Sequence, residues 1–207
     1  MSNNTTTIKT RENLVSTRTI TMTALLAAIS YVLAFLKFPV PLSPSFARMD
    51  LSDLPALIGA FAFGPVTGVM IELIKNILQL LSTSTGGIGE LGNFLMGASY
   101  VLAAGFIYKY KKTRKMAMWA CVISSVVMGI AAAIVNYFIL LPLFETFMPL
   151  DQLIASFGEF LPFIKTKLDV VLFNALPFNI LKGLVIGAIA MMIYKKLTPI
   201  LKGETLK

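Results

Sequence analysis

The chain has 207 residues, 57% of them apolar and 14% charged, with a mean hydropathy of +0.80. An average soluble domain is about 45–50% apolar and about 25% charged, so this composition describes an integral membrane protein with little mass outside the bilayer. It contains no histidine and one cysteine, Cys121, which excludes a Ser-His-Asp hydrolase, a histidine-built zinc enzyme and an intrachain disulfide. No G-x-x-x-x-G-K-[ST] run is present, so there is no P-loop.

Crossing roughly 30 Å of hydrocarbon takes about 20 mostly apolar residues in a helix. Residues 19–36 form the first such segment. Basic residues precede it, as in a secretory signal, but 37–44 lacks an A-x-A-like site and the apolar run is long for a signal core. It therefore reads as an uncleaved span. Residues 54–63 follow, ending at the helix-breaking pair Gly64-Pro65 and covering only about 15 Å as a helix. Either a thinned bilayer or a helix continuing from Asp50 would let this segment cross. Residues 66–81, 91–108, 117–141 and 170–193 complete the set.

Charge fixes the count. Three regions hold 12 of the 18 Lys and Arg but only two acids, Glu12 and Glu204. They are the N-terminus (Lys9, Arg11, Arg18), 109–115, and the C-terminus (Lys195, Lys196, Lys202, Lys207). The positive-inside rule places all three in the cytoplasm, and an even number of crossings must then separate the first two. The expectation is an all-α integral membrane protein with six transmembrane helices and both termini cytoplasmic. It is one membrane domain over 1–207, with a bundle over 18–196 between cytoplasmic tails 1–17 and 197–207. The basic loops are a topology signal, not a nucleic-acid surface.

Three loops then face outside. The first, 37–52, is rich in proline (Pro39, Pro41, Pro44) and ends in Asp50-Leu51-Ser52-Asp53, where either acid could cap the short helix. Pro55 suits its first turn. The second is 82–89. The third, 142–169, is long and carries Phe144, Phe147, Phe157, Phe160 and Phe163, so it should fold back over the bundle. Together they make the cover of a cavity near the outer face.

Polar groups inside hydrocarbon cost several kcal/mol unless partnered. Glu72, Lys75, Asn76 and Gln79 fall at i, i+3, i+4 and i+7, on one helix face, and Glu72 can pair with Lys75. Asn174, Asn179 and Lys182 interrupt the last span, and Asn179 and Lys182 share a face. Lys182 lies about 20 Å from Lys195 along the helix, in the outer half, and Asn136 lies about 29 Å beyond Ala117. Glu90 and Asn93 open the fourth span after a Gly86-Gly87-Ile88-Gly89 turn. Lys182 is either half of an ion pair with Glu72 or Glu90 or a ligand contact. Amides with one or two lysines suit a flat, neutral, heteroatom-edged molecule better than an anion, which would call for arginines.

Phe38-Pro39-Val40-Pro41-Leu42-Ser43-Pro44-Ser45-Phe46, followed by Asp50-Leu51-Ser52-Asp53-Leu54-Pro55-Ala56, resembles the first outer loop and second helix of riboflavin-specific S components. These are the substrate-binding subunits of energy-coupling-factor (ECF) transporters. Phe63-Gly64-Pro65, Ile74-Lys75-Asn76, Gly89-Glu90-Leu91-Gly92-Asn93 and Asn179-Ile180-Leu181-Lys182 continue the resemblance, which runs from about Thr19 to Lys196. It implies one vitamin bound near the outer face with the first loop as a gate. It also implies a transmembrane coupling subunit and two cytoplasmic ATPases as partners, and no cofactor beyond the transported riboflavin. Family members carry A-x-x-x-A on the first helix as the docking face for the coupling subunit. Ala24 and Ala28 match it, with Ala27 adjacent, although small residues four apart equally serve packing within the bundle.

On this reading Asn179 donates to and accepts from the flavin's pyrimidine edge, and Lys182 donates to a carbonyl or ring nitrogen. Asn136 and Glu90 take ribityl hydroxyls or the other ring edge. Asn93 and Lys75 add polar contacts, and Leu42, Phe46 and Met96 supply apolar walls. No metal site is expected. The competing readings are an S component for another vitamin or precursor, and a proton-coupled secondary transporter with Glu72 or Asp169 as relay. A membrane enzyme is weaker still, since no nucleophile–base pair is evident.

Overall fold

The computed structural model describes residues 16–39, 48–159 and 161–202. Each of the six expected segments is helical. Helix α1 (Thr17–Leu33) leads to a two-residue antiparallel pairing of β1 (Phe38–Pro39) with β2 (Arg48–Met49), and then to α2 (Asp53–Phe63) and α3 (Pro65–Gln79). Helices α4 (Ile88–Tyr110) and α5 (Arg114–Val135) follow. A π-helical turn, Asn136–Leu140, extends α5 into the short α6 (Leu141–Glu145). Helices α7 (Leu150–Gly158) and α8 (Lys167–Val170), a second π-helical turn (Val171–Ala175) and α9 (Leu176–Lys202) complete the described elements. Three helical stretches, Ile88–Tyr110, Arg114–Glu145 and Lys167–Ile193, are long and apolar enough to cross a bilayer unaided.

Helix α2 does not continue from Asp50. It starts at Asp53, has 11 residues and is about 16 Å long. Gly64 ends it with φ +102°, in the region that favours glycine, and Pro65 opens α3 at once. The chain thereby reverses into an antiparallel helical hairpin. Near its bend a Cβ on Gly68 would lie 2.8 Å from Ala60 Cβ and 3.1 Å from the Ala56 carbonyl oxygen. At its far end Lys75 on α3 meets Asp53 on α2. Neither expected acid caps α2 with its side chain, because both are drawn elsewhere. Asp50 accepts from the Ser52 backbone N–H and hydroxyl at 2.9 and 2.6 Å, closing a turn ahead of the helix, while Asp53 faces two lysines.

Small residues bring the long helices together. A Cβ on Gly105 of α4 would lie 2.8 Å from Pro65 Cα, and Gly183 and Gly187 of α9 press against Ser125 and Cys121 of α5. Without a hydrophobic drive between helices in lipid, such close approaches supply the packing attraction. The Tyr100 hydroxyl donates to the Gly183 carbonyl at 2.9 Å, tying α4 to α9.

The long third loop folds back over the bundle and covers Phe157 and part of Phe144, while Phe147 and Phe163 stay exposed. Leu141, Leu153, Phe157, Ile164, Val170 and Val171 form a second small core, with Phe144 packed against it. Thr166 and Asp169 make a reciprocal capping box that starts α8. Asp169 is therefore spent on holding a helix end. Phe160 lies outside the described residues.

Candidate functional site

A cavity of about 750 Å³ lies beneath this folded loop, within the range of small-molecule sites, roughly 300–1,000 Å³. Apolar walls come from Leu141, Phe144, Phe147, Met148 and Phe157, and the polar lining includes Asn136, Asn174, Thr85 and Gln152. Asn136 opens the first π-helical turn and Asn174 lies in the second. A π turn re-aims one helix face without breaking the helix, a feature frequent at functional sites. Here both turns deliver an asparagine to the same cavity.

The Gly92–Gly97 stretch of α4 links that cavity to the polar interior. Asn136 Nδ2 lies 4.0 Å from Met96 Sδ and donates to the Ala132 carbonyl at 2.8 Å. One turn earlier on α4, Asn93 Oδ1 receives the Lys182 ammonium at 3.4 Å. Glycine at 97 leaves room for Glu72, since a Cβ there would come within 2.6 Å of Glu72 Oε2. On α9, Asn179 donates to the carbonyl of Ala175, a cavity residue, at 2.8 Å, and Lys182 is its neighbour one turn deeper. Amides and an ammonium thus form a path leading inward from the cavity.

At the end of the path lies a buried charge network. Lys75 contacts Glu72 Oε2 at 2.6 Å, Asp53 Oδ1 at 2.7 Å and the Ser52 hydroxyl at 3.1 Å. Lys182 contacts Asp53 Oδ2 at 2.9 Å, with Asp50 Oδ1 farther off at 4.0 Å. Asp53, Glu72 and Lys75 are wholly inaccessible to solvent. With every group ionised, three carboxylates face two ammonium groups. Ion pairing and shared hydrogen bonds offset the cost of burying them. The Ser30 hydroxyl donates to the Ser52 carbonyl, bringing α1 into the same network. Along α3, Glu72 Oε1, Asn76 Oδ1 and Gln79 Oε1 are buried without a hydrogen-bond donor among the described residues.

Of the expected site residues described, Asn136 alone lines the cavity, and Met96 lies 4.0 Å from it. Asn93 and Lys182 contact each other, Lys75 joins Lys182 through Asp53, and Asn179 bonds only to its own helix. The anticipated Glu72–Lys75 pair is present. Lys182 takes Asp53 rather than Glu72 or Glu90, because the hairpin brings the start of α2 against α9. Glu90 sits apart from the network and accepts from the Thr83 and Thr85 hydroxyls at 2.9 and 3.1 Å, holding the turn before α4. Leu42 and Phe46 lie outside the described residues. Ala24 and Ala28 are exposed on the outer surface of α1, whereas Ala27 is buried in the core. Asp53, expected only as a possible helix cap, and Asn174, noted only as a polar interruption of the last span, were not among the ligand candidates, and the π turns were not foreseen. An acid at the head of a helix too short to span was the signal for Asp53.

Comparison with known proteins places this arrangement in context. The sequence profile of the family described as ECF transporter, substrate-specific component, matches residues 18–194. A riboflavin transporter, RibU, of Staphylococcus aureus (strain TCH60) is 37% identical over 180 residues, covering 86% of this chain and 89% of that protein. A riboflavin transporter, FmnP, of Bacillus subtilis (strain 168) is 33% identical over 179 residues, covering 85% and 90%. A solved structure of the S component of a bacterial ECF transporter aligns with a TM-score of 0.70 at 36% identity, covering 89% of this chain and 98% of that one.

Proposed function

The chain belongs to the substrate-specific components of ECF transporters, integral proteins of the cell membrane, and on that premise we propose that it is the high-affinity riboflavin-binding subunit of a vitamin uptake system. It captures riboflavin outside the cell and delivers it inward when a transmembrane coupling subunit and two cytoplasmic ATPases drive it. Residues 18–196 act as one six-span membrane unit with both termini cytoplasmic, and the cavity opens toward the outside. The binding step requires recognition and exclusion of water, with no bond made or broken.

One observation carries the reading. Relatives named as riboflavin transporters align over most of the chain, and the groups lining the cavity and buried behind it on α9 complement a flavin. The dimethylbenzene end of an isoalloxazine suits the aromatic cover of Phe144, Phe147 and Phe157. Its pyrimidine edge alternates carbonyl acceptors with an N–H donor. Asn179 can meet both kinds, and Lys182 supplies a donor. The sequence contains no P-loop, which agrees with a reading in which partner subunits hydrolyse ATP.

The test is an absorbance spectrum of the protein purified in detergent without added ligand, followed by chromatography of what denaturation releases. A flavin band and stoichiometric riboflavin are expected. A colourless protein that also fails to bind added riboflavin refutes the substrate. Replacing Lys182 or Asn179 by alanine should weaken binding at least tenfold, and unchanged titrations for both variants refute the residue assignment.

A further inference from the structure

We propose that Asp53 is the positioning residue for Lys182, fixing the ammonium so that one of its N–H groups is directed to the ligand; this rests on the reading that Lys182 contacts the substrate. A lysine on a four-carbon stem is a mobile point charge and gains direction only from what holds it. Lys182 has two partners within hydrogen-bond distance among the described residues, Asp53 Oδ2 at 2.9 Å and Asn93 Oδ1 at 3.4 Å. Asp50 stands off at 4.0 Å. Of the three N–H donors of the ammonium, one goes to Asn93. Asp53 holds the charge as an ion pair whose Oδ2 accepts no aligned hydrogen bond among the described residues, so at least one donor is left for a further partner. Asp53 makes the shortest of these contacts, and water does not screen its wholly buried carboxylate.

Asp53 is itself held in place. Its Oδ1 accepts from Lys75 at 2.7 Å, and Lys75 is gripped from the other side by Glu72 Oε2 at 2.6 Å. The chain Glu72–Lys75–Asp53–Lys182 runs through α3, α2 and α9 in turn. Rotation of the Asp53 carboxylate toward any other partner would release Lys75. Asp53 therefore touches no ligand and acts through Lys182.

A double-mutant cycle tests this. Riboflavin affinity is titrated for the wild type, Asp53→Asn, Lys182→Ala and the double variant, and thermal midpoints of the same four proteins are read without ligand. Asp53→Asn should weaken binding at least tenfold in the wild-type background and change it less than twofold when Lys182 is already alanine. The ligand-free midpoints should also be non-additive, since the pair exists before ligand arrives. Affinity within twofold of wild type for Asp53→Asn overturns the proposal. So does a full Asp53→Asn effect that persists on top of Lys182→Ala, because a residue that only supports the fold would give additive losses. If Asp53→Asn does not accumulate as folded protein, Asp53→Glu, which keeps the charge and shifts the carboxylate by one methylene, enters the same cycle under the same criteria. A wild type that binds no riboflavin refutes the substrate reading instead, and additive midpoints would then overturn the Asp53–Lys182 coupling separately.

Discussion

Lys75→Met removes the ammonium that bridges Glu72 and Asp53, while methionine retains much of the apolar stem. The formal charge of the group formed by Asp50, Asp53, Glu72, Lys75 and Lys182 becomes more negative by one unit. Deleting one partner of a buried pair costs about 3–5 kcal/mol, because the remaining charge stays desolvated. Lys75 makes both of its ion pairs at 2.7 Å or less, so the upper part of that range is expected. At roughly 2–4 °C per kcal/mol for a chain of this size, the upper part of the range lowers the thermal midpoint by about 8–20 °C. Adding Glu72→Gln restores the original charge and leaves Asp53 paired with Lys182 at 2.9 Å. The double variant should therefore recover about half of the loss. The assay is the unfolding midpoint of the ligand-free proteins in one detergent. A double variant no more stable than Lys75→Met would refute the reasoning and trace the loss to packing.

Two further outcomes follow from close contacts and exposure. Gly105→Ala sets a Cβ against the Pro65 backbone at 2.8 Å from Cα and 3.1 Å from N. Overpacking of about 1–3 kcal/mol then outweighs the helix-propensity gain of about 1 kcal/mol, and a raised midpoint would contradict this. Gly59→Ala meets the flexible tip of Ile71 instead and should cost less. Leucine at Ala24 or Ala28, both exposed on α1, should leave riboflavin affinity intact and abolish ATP-dependent uptake into vesicles holding the whole transporter; lost binding would mean that these alanines only pack the bundle.

Much of the architecture was legible because each signal was local. Gly64-Pro65 marked the hairpin bend, and the i, i+3, i+4, i+7 spacing marked the polar face of α3. The phenylalanines of 142–169 pointed to a folded loop, although only Phe144 and Phe157 of those described gain cover in it. Glu72 and Lys75 could be paired because one helix carries both. The partner of Lys182 could not be found that way. Asp53 lies on a distant segment, and only the folding of α2 onto α3 and α9 brings it within 2.9 Å. The π turns left no mark either, since Asn136 and Asn174 sit in ordinary apolar runs and the re-aiming comes from tertiary packing. Glu90 had the right depth for a ligand contact, but threonines in the preceding loop engage its carboxylate.

The α2–α3 hairpin also bears on how the chain enters a membrane. Chains are made from the N-terminus onward, so Asp53, Glu72 and Lys75 meet the bilayer before Lys182 exists. Single charges resist insertion by about 2.5–3.5 kcal/mol each, and at 11 and 15 residues α2 and α3 are short for a solitary crossing. As a folded pair they carry their own partial neutralisation, with Lys75 between the two acids. Entry as one unit is the less costly route. Lys182 arrives with the last helix, so the contact that closes the charge network also marks the bundle as complete.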